Sequence, residues 1–283
     1  MASINLQGDT SGAITISAPS VAGSNTLTLP ATTQTLATQN ALGVRNLIIN
    51  GDMRIAQRGT SSTGITGNGY FTVDRFTITG TTAGTWTQTQ DTNVPSGQGF
   101  SKSFKMQCTT ANASLSSSSF MFVRQRIEAQ NLQHIKKGTS SAESLTYSFW
   151  VKSNKTGTYI AEIFDDDNVR QISKSYTIDT ADTWEKKVIT FAGDTSGSLP
   201  DDNGSGFSVV LWFVAGTDYT SNGTLNTSWQ STNTTQRAVG QVNLADSTAN
   251  YINITGVQLE VGDTATPFEH RPWDDELIRC MRY

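Results

Sequence analysis

Glu162, Asp165 and Glu185 are the carboxylates of this chain best placed for acid–base work. Each falls on or beside a strand-like run, and two carboxylates on neighbouring strands can cleave a glycosidic bond without leaving any linear signature. Nothing else in the sequence supports catalysis. The histidines, His134 and His270, sit in no nucleophile–base or metal-protease pattern. A triad needs a base held by an acid against a nucleophile, and no such set is visible. His270, in Glu269-His270-Arg271, reads as a packing or subunit-contact residue. The acidic run Asp165-Asp166-Asp167-Asn168 lacks the alternating oxygen ligands of a calcium loop and is followed at once by Val169-Arg170. It reads as a four-residue hairpin turn. The chain is therefore expected to be non-enzymatic and to use no cofactor.

Binding chemistry has better material. A sugar ring needs a flat aromatic face to stack on, with planar polar groups for its hydroxyls. Trp150 and Trp212 each stand on the strand face opposite a continuous apolar set, which for Trp212 is Phe207, Val209, Leu211 and Phe213. Tyr219 and Trp229 lie in a long polar loop, GTDYTSNGTLNTSWQST, suited to recognition. These four are the candidate glycan-binding residues. The competing reading places them in the core or at a subunit interface.

The elements that position them are strands. Period-2 alternation is cleanest in LTYSFWVKS (145–153), where Leu145, Tyr147, Phe149 and Val151 share one face. Further runs are expected at 71–79, 85–90, 101–107, 120–127, 158–164, 169–178, 184–191, 207–215 and 251–261. Leu47-Ile48-Ile49 precedes them and ends at the turn dipeptide Asn50-Gly51. Such a succession predicts an all-β fold, an antiparallel β-sandwich of jelly-roll type. Residues 46–266 form that domain.

Residues 1–45 differ. Ile4/Leu6, Ile14/Ile16, Leu27/Leu29 and Leu36 are short apolar doublets and singlets among Gly, Pro, Ser, Asn and Thr. The segment has no aromatic residue and cannot build a core alone, so it is either disordered or buries these side chains on other chains; the second is expected, as an attachment or oligomerisation segment. Residues 267–283 predict a short C-terminal helix, with Asp274, Asp275 and Glu276 at its N-terminal end and Arg279 and Arg282 at the other. Trp273, Leu277 and Met281 form an apolar stripe at i, i+4 and i+8, with Ile278 beside it. A neighbouring subunit is the expected cover.

Composition sets bounds. The net charge is −4 with 16% charged residues, and no basic patch supports nucleic-acid binding through phosphates. No apolar run approaches the ~20 residues of a membrane span, and the N-terminus lacks the features of a secretory signal. Cys108 and Cys280 are expected to be unrelated thiols. The several Asn-x-Ser/Thr sequences reflect the abundance of Asn and Thr.

Asn46-Leu47-Ile48-Ile49-Asn50-Gly51-Asp52 resembles the opening of the jelly-roll carbohydrate-binding modules of the xylan- and glucan-binding superfamily. Tyr147 to Ser153, Thr183-Trp184-Glu185 and Gly256-Val257-Gln258-Leu259-Glu260 resemble that family's middle and closing strands. The run GVQLEVGDTATPFEHRPWDDELIRCMRY resembles tail-fibre and other virion proteins of tailed bacteriophages, and the N-terminal repeats are similar to their attachment segments. The resemblance implies a homotrimeric appendage of the virion, assembled in the host cytoplasm. It would be joined to other virion proteins through residues 1–45 and display a face toward host cell-surface polysaccharide. A head-decorating virion protein, or a glycan-binding or glycan-processing module of an enzyme, are the alternatives. The modules carry closing-strand carboxylates for a structural calcium. Here Ile254-Thr255-Gly256 has none, leaving Asp52 and Glu260 as possible ligands.

Overall fold

In the computed structural model, the structure describes residues 3–7, 13–17 and 45–282. The chain divides into two compact units, Met1–Gln39 and Asn40–Tyr283. In the first, β1 (Ser3–Gln7) and β2 (Ala13–Ser17) form an antiparallel pair. Its register sets Ile4 opposite Ile16 and Leu6 opposite Ile14. Leu27, Leu29 and Leu36 lie outside the described residues.

The second unit is an antiparallel sandwich. Its strands are β3 (Ser61–Ile65), β4 (Thr77–Thr81), β5 (Thr85–Asp91), β6 (Ser103–Thr110), β7 (Phe120–Glu128), β8 (Leu145–Ser153), β9 (Gly157–Asp165), β10 (Arg170–Ile178), β11 (Glu185–Phe191), β12 (Ser205–Ala215), β13 (Gln230–Ser231) and β14 (Tyr251–Val261). A first six-stranded sheet runs β13-β10-β9-β12-β7-β4, and a second runs β11-β8-β14-β6-β5-β3. The chain crosses repeatedly between them, as a jelly roll requires. Leu145, Tyr147, Phe149 and Val151 of β8 are all buried, as are Phe207, Val209, Leu211 and Phe213 of β12. Between the sheets they meet Trp86, Phe104, Tyr159 and Tyr176. Each fully buried side chain of this kind contributes about 1.5–3 kcal/mol. Cys108 and Cys280 are separate buried thiols.

Three local expectations need correction. Leu47-Ile48-Ile49 is an extended arm outside both ladders, because side chains satisfy its backbone. Asn46 Oδ1 accepts from Ile48 N–H and Leu259 N–H, and Gln125 brackets both N–H and C=O of Ile49. The run 71–79 forms a strand only from Thr77. Thr72 N–H is held by Gln88 Oε1 and Arg75 has a φ of 73°, which breaks the extended path. Strands β3 and β13 carry no apolar alternation, and their sequence did not mark them.

The C-terminal helix, α2 (Trp273–Cys280), forms as expected but is rolled the other way. Glu276 and Cys280 are its buried residues. Of the predicted stripe, Trp273 is 51% and Met281 65% exposed, with Ile278 at 68%; Leu277 is half-buried. Polar chemistry outweighs the stripe: Glu276 accepts from Asn50 N–H and pairs with Arg271, which donates to the carbonyls of Ile48 and Asn46. The two ends of the sandwich domain are thereby locked together.

Gly51 lies in that lock for a steric reason. A Cβ there would stand 2.0 Å from the carbonyl oxygen of Val257, whose N–H donates 2.8 Å to Gly51 O.

Candidate functional site

Alternation gives the first sheet an outward face that carries most of the unusual chemistry. β12 presents Ser208, Val210 and Trp212 outward. β9 presents Ile160, Glu162 and Phe164, and β7 presents Phe120, Phe122, Arg124 and Arg126, each row in register with its neighbour. Over the β9/β12 part of this face lie α1 (Thr217–Thr220), Leu225 and Ala238. Phe122, Ile160, Val210, Trp212 and Ala238 make a second apolar cluster there, with Phe120, Tyr219 and Leu225 packed against it.

Trp212 is central to that cluster and fully buried. Its Nε1–H donates 2.9 Å to Glu162 Oε2. Arg237 closes on the same carboxylate with Nε at 2.8 Å and NH2 at 2.9 Å, and its guanidinium lies 5.2 Å from the Trp212 ring and 4.9 Å from that of Phe164. Burial works against the charge of Arg237, but Glu162 outweighs it and raises the guanidinium's pKa. The ring of Tyr219 sits 5.3 Å from Trp212 and 5.1 Å from Phe120, and burial raises its hydroxyl pKa. Trp212 is thus a core residue, and the expectation of an open stacking platform at that position is corrected: its ring is fully buried, with Tyr219 packed against it at a tilt of 52°.

Trp150 and Trp229 lie elsewhere. Trp150 is half-buried on the outer face of the second sheet, in register with Thr255 and Lys186. It closes with Phe100 over Gly256, whose Cβ would come within 3.1 Å of Trp150. Phe100, Phe268 and His270 continue this group, with ring centroids 4.9–5.5 Å apart. Trp229 stacks at 5.7 Å on Phe207 and donates 2.7 Å to the carbonyl of Ala192. The structure therefore brings together Trp212 and Tyr219, and neither Trp150 nor Trp229 joins them.

The carboxylates do not converge either. Glu162 is taken by Trp212 and Arg237. Asp165 points to the other side of β9, 2.8 Å from Lys137 Nζ. Glu185 starts β11 on the second sheet, where it binds Lys187 and the N–H groups of Asp179 and Thr180. Residues 166–169 form the four-residue turn between β9 and β10, with Asp165 Oδ1 accepting from Asp167 and Asn168 N–H. Asp52 pairs with Arg54, while Glu260 accepts from Thr266 N–H. Among the described residues, no group of three or more His, Cys, Asp or Glu is placed to hold a metal ion.

The open part of the face is its β4/β7 side, which sequence reasoning missed. Tyr70 is 41% exposed there. The Gly69–Ile78 bridge puts it beside Thr77, and Thr77 is in register with Arg124. Arg58 covers one side of the Tyr70 ring at 5.4 Å and is tied to Asp74 at 3.1 Å. Arg124 lies 5.8 Å from the Phe122 ring, and Arg126 is exposed two residues further along. Asp166 is held nearby by the hydroxyls of Ser205 and Ser208, at 2.5 and 2.8 Å.

This side also holds unmet hydrogen-bonding capacity. Thr77 Oγ1, Thr79 Oγ1 and Arg124 Nε are buried with no hydrogen-bond partner, as are Ser173 Oγ and Gln171 Oε1 further along the same sheet. Buried polar groups without partners are uncommon and costly, about 1–3 kcal/mol each. Burial, Arg126 and Arg237 lower the pKa of Arg124 against the opposite pull of Asp166 and Tyr70. The arrangement offers an exposed ring and planar cations to a polyhydroxylated ligand. The only signal for it in the sequence was the spacing of Arg124 and Arg126 on one face of a strand, together with the ring of Tyr70.

No protein-family model matches the chain, and no curated protein sequence matches it. Among solved structures, it is similar to the enzymatically active domain of tailspike protein 4 of bacteriophage CBA120. That likeness has 16% identity and a TM-score of 0.39, over 76% of this chain and 21% of that one, so this chain spans about a fifth of the tailspike's length. A family 11 carbohydrate-binding module from Clostridium thermocellum, solved with a mixed-linked β-1,3-1,4 tetrasaccharide, is 13% identical. Its TM-score is 0.33, over 73% of this chain and 98% of the module. The tandem family 22 modules of Paenibacillus barcinonensis Xyn10C are 14% identical with a TM-score of 0.37, over 81% of this chain and 53% of theirs. The chemistry of the face therefore rests on its own residues.

Proposed function

We infer that this chain is a non-catalytic glycan-binding subunit of a phage appendage, a tail fibre or similar part. The observation that carries the binding reading is the β4/β7 face. There the exposed Tyr70 ring stands beside Thr77, which is in register with Arg124, and the exposed Arg126 lies two residues further along β7. Sugar recognition combines these elements: an aromatic surface for stacking, and polar groups held in place by rigid strands. The dispersal of Glu162, Asp165 and Glu185, each already bound, supports binding without hydrolysis. The β1–β2 hairpin and the exposed Trp273, Ile278 and Met281 support the assembled part of the reading. The hairpin serves attachment to other virion proteins, and the helix stripe meets a neighbouring copy in a trimer. Symmetric display would raise the avidity of a weak single site.

The test is direct. The full chain is incubated with purified surface polysaccharide from a panel of bacteria, and binding and reducing ends are both measured. Retention of polysaccharide that Tyr70→Ala weakens at least tenfold, with no new reducing ends, is expected. Release of fragments would overturn the non-catalytic reading, and retention unchanged in Tyr70→Ala would move the site elsewhere.

A further inference from the structure

We propose that the β4/β7 face takes an acidic glycan, binding a sugar carboxylate between Arg124 and Arg126. This rests on the glycan-binding reading above and specifies its ligand class. Residues two apart on one strand point the same way and stand ~6.5–7 Å apart along it, a spacing that brackets a carboxylate attached to a ring. Arg126 is in register with Ser208, and Arg124 with Val210 and Thr77, so both guanidinium groups rise from the same outward row.

Their surroundings differ from those of the molecule's other face arginine. Arg237 is neutralised by a two-point contact with Glu162. Neither Arg124 nor Arg126 makes an ion pair within 4.0 Å among the described residues, and Arg124 Nε has no hydrogen-bond partner although it is buried. Nearby, Asp166 is engaged by the hydroxyls of Ser205 and Ser208. Two cations are thus set side by side, and the first is partly desolvated and depressed in pKa by the second. Like charges held together in this way are destabilising, and a planar anion relieves the repulsion. Guanidinium forks match a carboxylate geometrically, and such charge-assisted contacts are about twice as strong as neutral ones.

The covering loop sets the direction of entry. Tyr219, Arg237 and Ala238 occupy the β9/β12 side, so a chain of sugars must lie along β4 and β7. There Tyr70 offers an exposed ring, in front of Thr77 and Thr79, whose hydroxyls are buried. Arg124 lies 5.8 Å from the buried Phe122 ring, and Tyr70 stands beside Thr77, the partner of Arg124 across the ladder. A uronic or similar acidic residue would place its carboxylate on the arginines while its neighbour stacks on Tyr70.

The test measures binding of the full chain to polygalacturonate, hyaluronate and polysialic acid, each beside its carboxyl-reduced counterpart, and to neutral galactan and xylan. We expect at least one acidic polymer to bind, with an at least tenfold loss on carboxyl reduction and a similar loss in Arg124→Gln/Arg126→Gln. Binding should also weaken as salt rises. Arg124→Lys/Arg126→Lys keeps the charge without the fork and should fall between the two. A circular-dichroism melt of each variant separates lost binding from lost fold. Equal binding of acidic and reduced polymers, unaffected by the double variant, would overturn the acidic inference and leave the glycan reading standing. Binding of none of these polymers would overturn both.

Discussion

Trp212 donates its indole N–H to Glu162, 2.9 Å away in the middle of a sheet face, and both side chains are buried there. A carboxylate in that position survives because Arg237 meets it with two further contacts. Breaking such a buried pair by removing one partner leaves an uncompensated charge, at a cost of about 3–5 kcal/mol. Glu162→Gln should therefore destabilise the sandwich by about that amount in urea unfolding. Trp212→Phe removes one donor and should cost less, about 1–3 kcal/mol. Glu162→Gln/Arg237→Gln should cost clearly less than the sum of its single changes; strict additivity would show that the pair is not coupled.

A second ionic cluster predicts how the fold responds to acid. Lys137 Nζ lies 2.8 Å from Asp165 and 3.3 Å from Asp194, almost without solvent contact, and Arg170 reaches Asp194 at 2.8 Å. Burial pushes the Asp194 carboxyl up, but Arg170, the Ser196 N–H and Lys137 together hold it below its ordinary 3.8. Glu185 is likewise held below 4.5: burial is outweighed by Lys187 and the N–H groups of Thr180 and Asp179. A carboxylate with a depressed folded pKa stabilises the fold above its unfolded pKa and stops doing so as pH falls through the folded value. Thermal stability should hold from neutral pH down to about pH 5 and decline below about pH 4. Lys137→Met should lower Tm at pH 7, and its gap from the parent chain should narrow as the carboxylates protonate. A gap independent of pH would mean that Lys137 acts by packing alone.

How much of this could be read in the sequence depended on what each signal competes with. β8 and β14 matched their predicted bounds: alternation over 145–153 is unbroken, and 251–261 alternates on either side of a bulge at Gly256. The same alternation correctly set Trp212 on the face opposite Phe207, Val209, Leu211 and Phe213. It could not show that a loop dozens of residues later would fold onto that face and supply Arg237. Tyr70 was equally hidden, since its place depends on a bridge between Gly69 and Ile78 and on no local pattern. The helix was found but its orientation was not. The apolar stripe was the visible signal, while the bond from Asn50 N–H to Glu276 that overrode it spans more than two hundred residues.

The same lock between the domain's ends makes Gly51 a sharp test of packing. Ala there would force a methyl group to within 2.0 Å of Val257 O and 3.3 Å of the Phe268 ring. Overpacking against fixed backbone costs about 1–3 kcal/mol or more, so Gly51→Ala should lower the urea midpoint substantially. Gly97 provides the comparison. With a φ of 72° and open space around it, Gly97→Ala should cost only the left-handed backbone penalty, about 1–2 kcal/mol. Equal costs at the two positions would contradict the close approach at Gly51.

The rolled helix separates stability from assembly. Trp273, Ile278 and Met281 are each more than half exposed, so replacing them removes little packing within the chain. Exposed substitutions of this kind change folding stability by about 0.5 kcal/mol or less. If a neighbouring copy covers the stripe, those side chains lie in an interface whose apolar contacts contribute to association. Trp273→Ser/Ile278→Lys/Met281→Lys should therefore keep the melting temperature of dilute protein while shifting the mass in sedimentation from trimer to monomer. A trimer that survives the triple change would place the interface elsewhere. A loss of melting temperature in dilute protein would instead make the stripe part of the chain's own core, which its exposure contradicts.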